Sequence, residues 1–126
     1  MSKLIGNLVI KSQHIFPRIL LPESSDERIL QAAINISKEK IAQVILLGDE
    51  AIISQQIARL NQGLDCGLKY IDTNDIQLIN IYAEILYTKR RHKGMSLDEA
   101  KKLLENDTAF AMLALENGDV DGVVTG

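Results

Sequence analysis

A run of five cationic or titratable side chains is the part of the sequence best suited to chemistry: Lys89, Arg90, Arg91, His92 and Lys93 follow one another directly. Such side chains bind anions, and the planar guanidinium of arginine can hold two phosphate oxygens at once. Cations are also common at helix C-termini, where each stabilises the helix dipole by about 0.3–1 kcal/mol. The run itself is compatible with an anion site and with an ordinary solvated helix end.

The position of each cation on its helix separates the members of the run. Apolar residues recur at helical spacing through the preceding segment, which predicts a long helix from about residue 74 to residue 92. At about 100° per residue, Arg91 falls among the polar positions of this helix. Arg90 instead continues the apolar line that contains Ala83 and Leu86, and Lys93 also lies on the apolar side. Arg90 is therefore the best candidate for an anion contact.

Other reactive side chains stand alone in the sequence. Cys66 is the only cysteine and has no neighbouring histidine to activate its thiol, and His14 and His92 have no partner at metal-ligand spacing. Neither a G-x-G-x-x-G stretch nor a P-loop is present. The spacing of residues therefore predicts no metal site and identifies no catalytic residue.

Alternating strand-like and helix-like segments surround the basic run. Continuous apolar runs predict buried strands within 17–23 and 42–50, residues 120–126 predict another short apolar strand, and 68–72 predict a weaker one. Helical patterns follow Ser24 to about residue 40, cover 49–60 and 74–92, restart at Ser96 and cover 107–117. Ser24 with Glu27, and Ser96 with Glu99, have the S-x-x-E spacing of a capping box, and Gly94 is expected just beyond a helix end.

The order of these segments predicts the architecture. Strands that alternate with helices indicate one α/β domain over residues 1–126, with a parallel sheet covered by helices on both faces, a three-layer α/β/α arrangement. Ligands of such sheets usually lie beyond the carboxyl ends of the strands. The segments P-E-S at 22–24 and T-G at 125–126 occupy such ends.

Composition narrows the class of protein. The 126 residues are 46% hydrophobic and 25% charged, which is typical of a folded domain. The net charge of −3 disfavours a nucleic-acid partner, which usually requires a basic protein. A single cysteine excludes an intrachain disulfide, and no apolar run approaches about 18 residues. We expect a cytoplasmic protein without a membrane span.

Three stretches together resemble the phosphate acetyl/butyryl transferase family, and its phosphate acetyltransferase branch more than its butyryl branch: RILLPESSDERILQAA, RRHKGMSLDEA and GDVDGVVTG. The resemblance covers residues from about 16 to 126. It implies reversible transfer of an acetyl group between coenzyme A and inorganic phosphate, with acetyl-CoA and phosphate as substrates and no metal. It also implies a fold like that of isocitrate and isopropylmalate dehydrogenases, with two α/β domains around a cleft, usually in a homo-oligomer.

The resemblance assigns residues as well. The family arginine of the second stretch falls on Arg90 and is implicated in binding the phosphate-bearing substrate, and a family lysine falls on Lys93. The catalytic aspartate of the family, with its arginine and serine partners, follows much later than Gly126. We therefore expect the amino-terminal portion of a longer two-domain enzyme, incomplete in fold, with little or no activity of its own.

Two further expectations and two alternatives accompany this interpretation. A sheet that ends with the strand before Gly126 would leave that strand as an uncovered edge, which favours association or partial instability. The alternatives are a phosphate butyryltransferase and a non-catalytic module of the same fold that binds an anion or coenzyme A.

Overall fold

A computed structural model of the chain describes residues 7–10, 16–62 and 67–125. The strands are β1 (Asn7–Ile10), β2 (Arg18–Leu21), β3 (Gln43–Gly48), β4 (Lys69–Asp72) and β5 (Gly122–Thr125). The α-helices are α1 (Glu27–Lys38), α2 (Glu50–Leu60), α3 (Ile76–Arg90), α4 (Leu97–Leu103) and α5 (Asp107–Glu116), with a 3-10 turn over Arg91–Lys93. The strands and helices predicted after residue 16 are confirmed to within a few residues at their ends.

The five strands form one sheet in the order β1-β5-β2-β3-β4. Strands β2 to β5 are parallel to their neighbours, as the alternation of strands and helices predicts. Strand β1 is the exception, because it pairs antiparallel with β5 from Asn7 opposite Thr125 to Ile10 opposite Gly122. The expectation that β5 would be an open edge is therefore wrong, and β1 and β4 are the outer strands.

Alternate residues of the strands point to two separate cores. Leu20, Leu47 and Val123 pack on one face of the sheet with Tyr82 of α3 and Phe110 of α5. The opposite face packs against α1 and α2, and its buried strand residues are Leu21, Val44, Leu46 and Val124. Because helices cover both faces, the predicted three-layer α/β/α arrangement is confirmed. The likeness to the dehydrogenases stays a prediction.

Side chains cap the N-terminus of each α-helix in the described part of the chain. The capping residues are Asp26, Asp49, Asp75, Ser96 and Asn106. Each accepts a hydrogen bond from a backbone N–H of the first turn, a contact worth about 1 kcal/mol. These caps fix where the helices begin, and therefore fix which side chains each helix presents.

Of the two predicted capping boxes, one is confirmed and one is wrong. Ser96 and Glu99 exchange hydrogen bonds of 3.1 Å in both directions. Ser24 does not cap α1, because the helix begins two residues later than expected and the carboxylate of Asp26 accepts from the backbone N–H of Arg28. The buried hydroxyl of Ser24 instead donates to the carbonyl oxygen of Leu47 at 2.5 Å. This bond ties the segment after β2 to the end of β3.

Candidate functional site

The C-terminal end of α3 carries the basic run into a compact turn. The N–H of Met95 donates to the carbonyl oxygen of Arg90, and the N–H of Gly94 donates to that of Arg91. Gly94 has a φ of +89°, so the predicted glycine position beyond the helix end is confirmed. This pair of bonds is a Schellman motif, which satisfies carbonyl groups that the helix leaves unpaired. The motif fixes the backbone from which Arg90 and Lys93 project.

The two faces of α3 agree with the sequence pattern. Tyr82, Ala83 and Leu86 are buried, whereas the polar positions between them are exposed, among them Glu84. Arg90 continues the buried line one turn beyond Leu86, where the helix emerges from the core, and its side chain is exposed. A cation at such a position stands beside the packed layer and can reach an anion without being desolvated itself.

The members of the basic run differ in their partners. Lys89 donates to Glu116, the last residue of α5, at 2.6 Å. Over residues 16–62 and 67–125, the side chains of Arg90, Arg91, His92 and Lys93 form no ion pair. The three neighbouring cations Arg90, Arg91 and Lys93 repel one another, and a bound anion would relieve that repulsion. This is the electrostatic feature that makes the end of α3 a candidate site.

Acidic residues close to this end are held by other contacts. Asp121 is buried and accepts from the backbone N–H of Arg18 at 2.8 Å and from its Nε and Nη2 at 3.1 and 3.0 Å. The hydrogen bond to Asp121 raises the pKa of the Arg18 guanidinium. Asp119 accepts from the hydroxyl of Tyr82 at 2.5 Å and from the side-chain amide of Asn117 at 3.1 Å. Burial raises the pKa of the Tyr82 phenol well above its usual value, and Asp119 adds to the effect.

These contacts show at which end of the sheet Arg90 lies. Helix α3 starts next to the carboxyl end of β4, and its last turn touches Glu116. From Glu116 the chain turns into β5, so this level corresponds to the amino ends of the parallel strands. Arg90 and Lys93 therefore lie at the opposite end of the domain from Ser24 and Thr125. The basic run and the carboxyl ends of the strands, which the sequence both indicated as ligand sites, therefore do not form one site.

The carboxyl ends of β2 and β3 border a small cavity of about 220 Å³, lined by Ser24, Ser25, Asp49, Ile52, Ile53 and Gln56. Two of its polar groups already have partners: Ser24 donates to Leu47, and Asp49 caps α2 and accepts from the side-chain amide of Asn74. The cavity contains no cationic side chain, so it is less suited to an anion than the end of α3.

Other candidates from the sequence yield little. His92 is exposed, and His14 and Cys66 lie outside the described residues. Within the described ranges, no group of three or more His, Cys, Asp or Glu is placed to hold a metal ion. None of the helices described there is long and apolar enough to cross a membrane.

Sequence reasoning missed the contacts that hold α3 and β5 at this end. Tyr82 and Asp119 are 37 positions apart, and Arg18 and Asp121 are 103 apart. Each residue alone resembles an ordinary core aromatic or turn aspartate. The one local signal is that Asp119 and Asp121 flank a buried valine directly before a strand, since acidic groups next to a core need partners.

The fold defines the chain as a three-layer α/β domain with a cationic helix end. Comparison with known proteins gives the family: the family described as "Phosphate acetyl/butaryl transferase" matches residues 4–126. The chain belongs to this family. The family that the three sequence stretches indicated is thereby confirmed.

Curated relatives and solved structures agree with this assignment. The chain is 36% identical to phosphate acetyltransferase of Clostridium acetobutylicum over 109 residues, 86% of this chain and 32% of that protein. It is 32% identical to phosphate acetyltransferase of Nitratidesulfovibrio vulgaris over 120 residues, 95% of this chain and 17% of that protein. EutD phosphotransacetylase from Staphylococcus aureus superposes with a TM-score of 0.75 at 28% identity, covering 99% of this chain and 35% of that one. The chain thus spans about a third or less of the length of these relatives.

Proposed function

We propose that this chain supplies one α/β domain of a phosphate acetyltransferase, the longer two-domain enzyme that moves an acetyl group between coenzyme A and inorganic phosphate. In this proposal Arg90, with Lys93 beside it, binds the phosphate groups of coenzyme A or the inorganic phosphate. The observation that carries it is the end of α3, where Arg90 and Lys93 are exposed and form no ion pair within the described part of the chain. The relatives named above support the acetyl reaction.

The chemistry of the substrate fits this surface. Coenzyme A carries a diphosphate and a ribose phosphate, and a guanidinium can hold two oxygens of one phosphate in parallel hydrogen bonds. The Schellman motif at Gly94 fixes the backbone beside Arg90, so less freedom is lost when the anion binds. Lys93 adds a second, more flexible charge to the same surface.

Binding of coenzyme A to the 126-residue chain, measured by calorimetry, tests the role of Arg90. We expect Arg90→Ala to weaken binding about 10-fold, because a charge-assisted hydrogen bond is lost. Arg91→Ala is the matched control, since Arg91 has the same charge and lies one position along the chain; it should change the affinity less than about 2-fold. Equal losses in both variants would mean that only net charge matters, and no loss in Arg90→Ala would refute the assignment.

The reaction itself has a separate test. The family's catalytic groups are expected outside the matched stretch, so acetyl phosphate-dependent formation of acetyl-CoA by this chain alone should be close to background. Robust turnover would contradict the proposal that this chain supplies only one part of the active site. A longer protein that contains the chain should use acetyl-CoA in preference to butyryl-CoA; the opposite preference would favour a butyryltransferase. If the longer protein binds coenzyme A but turns over neither acetyl-CoA nor butyryl-CoA, the non-catalytic binding module would be favoured.

We further propose a cytoplasmic location and a homo-oligomer, with small-molecule substrates and neither nucleic acid nor metal as partner. The acidic net charge and single cysteine support the location and disfavour nucleic acid. Light scattering tests the oligomer: a mass above that of one chain is expected, and a well-behaved monomer would contradict it.

A further inference from the structure

Helix α3 is attached to the segment 116–119 at two points. The Tyr82 hydroxyl donates to Asp119, and two turns later the Lys89 ammonium donates to Glu116. Residues seven apart on an α-helix differ in direction by only about 20°, so Tyr82 and Lys89 share one stripe of the helix. Both contacts end on four consecutive residues, which run from the last residue of α5 into its connection with β5.

Two attachments on one stripe fix the rotation of a helix about its axis. Arg90 follows Lys89 directly, so its side chain projects about 100° around the helix from that stripe. A rotation of α3 about its axis would therefore move Arg90 either towards the exposed side of the helix, where Arg91 lies, or towards α4, which packs against α3. The hydrogen bond of Tyr82 is partly buried, and the Tyr82 ring packs against Phe110 at a ring-centroid distance of 5.1 Å. The Lys89 contact is exposed and lies next to Arg90.

We propose that Glu116 is a positioning residue for the anion site: by holding Lys89, it fixes the last turn of α3 so that Arg90 faces the anion. The proposal rests on the role of Arg90 given above. Glu116 itself touches no substrate, and its negative charge is unfavourable for an anion nearby. Its positioning effect and its electrostatic effect on anion binding therefore have opposite signs.

The variant Glu116→Gln uses this difference. Simple electrostatics predicts tighter binding of coenzyme A by the 126-residue chain, because one negative charge near the site is removed. Positioning predicts weaker binding, by about 2- to 5-fold, because an exposed ion pair contributes less free energy than a tenfold change in affinity requires. Lys89→Met should lose a similar factor. The exchanged pair Lys89→Glu with Glu116→Lys keeps the net charge and should restore the affinity to within about 2-fold of the unchanged chain.

A double-mutant cycle with Arg90 separates positioning from general destabilisation. If Glu116 acts through Arg90, then Glu116→Gln should no longer weaken binding in the Arg90→Ala background, where only the electrostatic gain remains. The melting temperature of Glu116→Gln should match that of the unchanged chain, so that loss of folded protein explains none of the weaker binding. Tighter or unchanged binding by Glu116→Gln, or an equal loss in the Arg90→Ala background, would overturn the proposal. If the unchanged chain binds no coenzyme A, or if Arg90→Ala binds as well as it does, then the proposed function itself is wrong.

Discussion

Asp121→Asn should destabilise the fold more than other substitutions of a single aspartate in the described chain. Asp121 is 3% exposed and accepts three hydrogen bonds from Arg18, while its backbone N–H donates to the Arg18 carbonyl oxygen at 2.8 Å. These contacts join the start of β2 to the start of β5 across the middle of the sheet. The amide of asparagine keeps one acceptor oxygen but turns an NH₂ group towards the donors of Arg18.

The size of the effect follows from these contacts. A hydrogen bond to a charged group contributes about 1.5–3 kcal/mol, and breaking a fully buried ion pair costs about 3–5 kcal/mol. The Arg18 side chain is 44% exposed, so water compensates part of the loss. We therefore expect Asp121→Asn to lower the free energy of unfolding by about 2 kcal/mol.

Urea denaturation followed by circular dichroism measures this change through the transition midpoint. Asp98→Asn is the control, because Asp98 is exposed in the first turn of α4 and should cost less than about 0.5 kcal/mol. A loss below about 0.5 kcal/mol for Asp121→Asn would refute the reasoning that this pair holds β2 and β5 together.

Two other substitutions have defined outcomes. Tyr82→Phe should make the free energy of unfolding less sensitive to pH above about pH 10. In the folded chain the buried phenol of Tyr82 keeps its proton, because its pKa is raised, while the phenol of the unfolded chain loses its proton. The contribution of Tyr82 to stability is therefore present at lower pH and falls as pH rises. Urea titrations at pH 8 and pH 10.5 measure it, and an unchanged difference between the two pH values would contradict it. Gly48→Ala should cost about 2 kcal/mol, because the glycine has a φ of +147° and an added Cβ would lie 2.7 Å from Cδ1 of Ile53. A thermal midpoint of Gly48→Ala equal to or above that of the unchanged chain would contradict this prediction, because it would mean that the turn accepts the added Cβ without strain.

Local patterns predicted most of the fold. Continuous apolar runs such as Val44–Leu47 identified the parallel strands, and helical periodicity identified the buried face of α3, because burial on one face produces a regular repeat in the sequence. Strand β1 was missed since it has four residues and its partner, β5, lies at the other end of the described chain. Pairing of this kind leaves no short-range signal.

The candidate site was only partly predictable for the same reason. The helical face of Arg90 depends on neighbours within a few turns, and the structure places Arg90 where that pattern indicated. Its role as an anion contact stays a prediction. The position of Arg90 relative to Ser24 depends on the direction in which α3 crosses the sheet, and the contacts of Lys89 and Tyr82 depend on residues 27 and 37 positions away. Tertiary packing alone determines those distances.

The most direct test of an anion site at the end of α3 is a titration of the ¹⁵N-labelled chain with coenzyme A, followed by NMR. We predict saturable shifts of the backbone amides from Arg90 to Met95, together with smaller shifts around Glu116, and none at Ser24 or Asp49. Saturable shifts centred on Ser24 and Asp49, with the amides from Arg90 to Met95 unchanged, would contradict the account and place the site at the carboxyl ends of the strands.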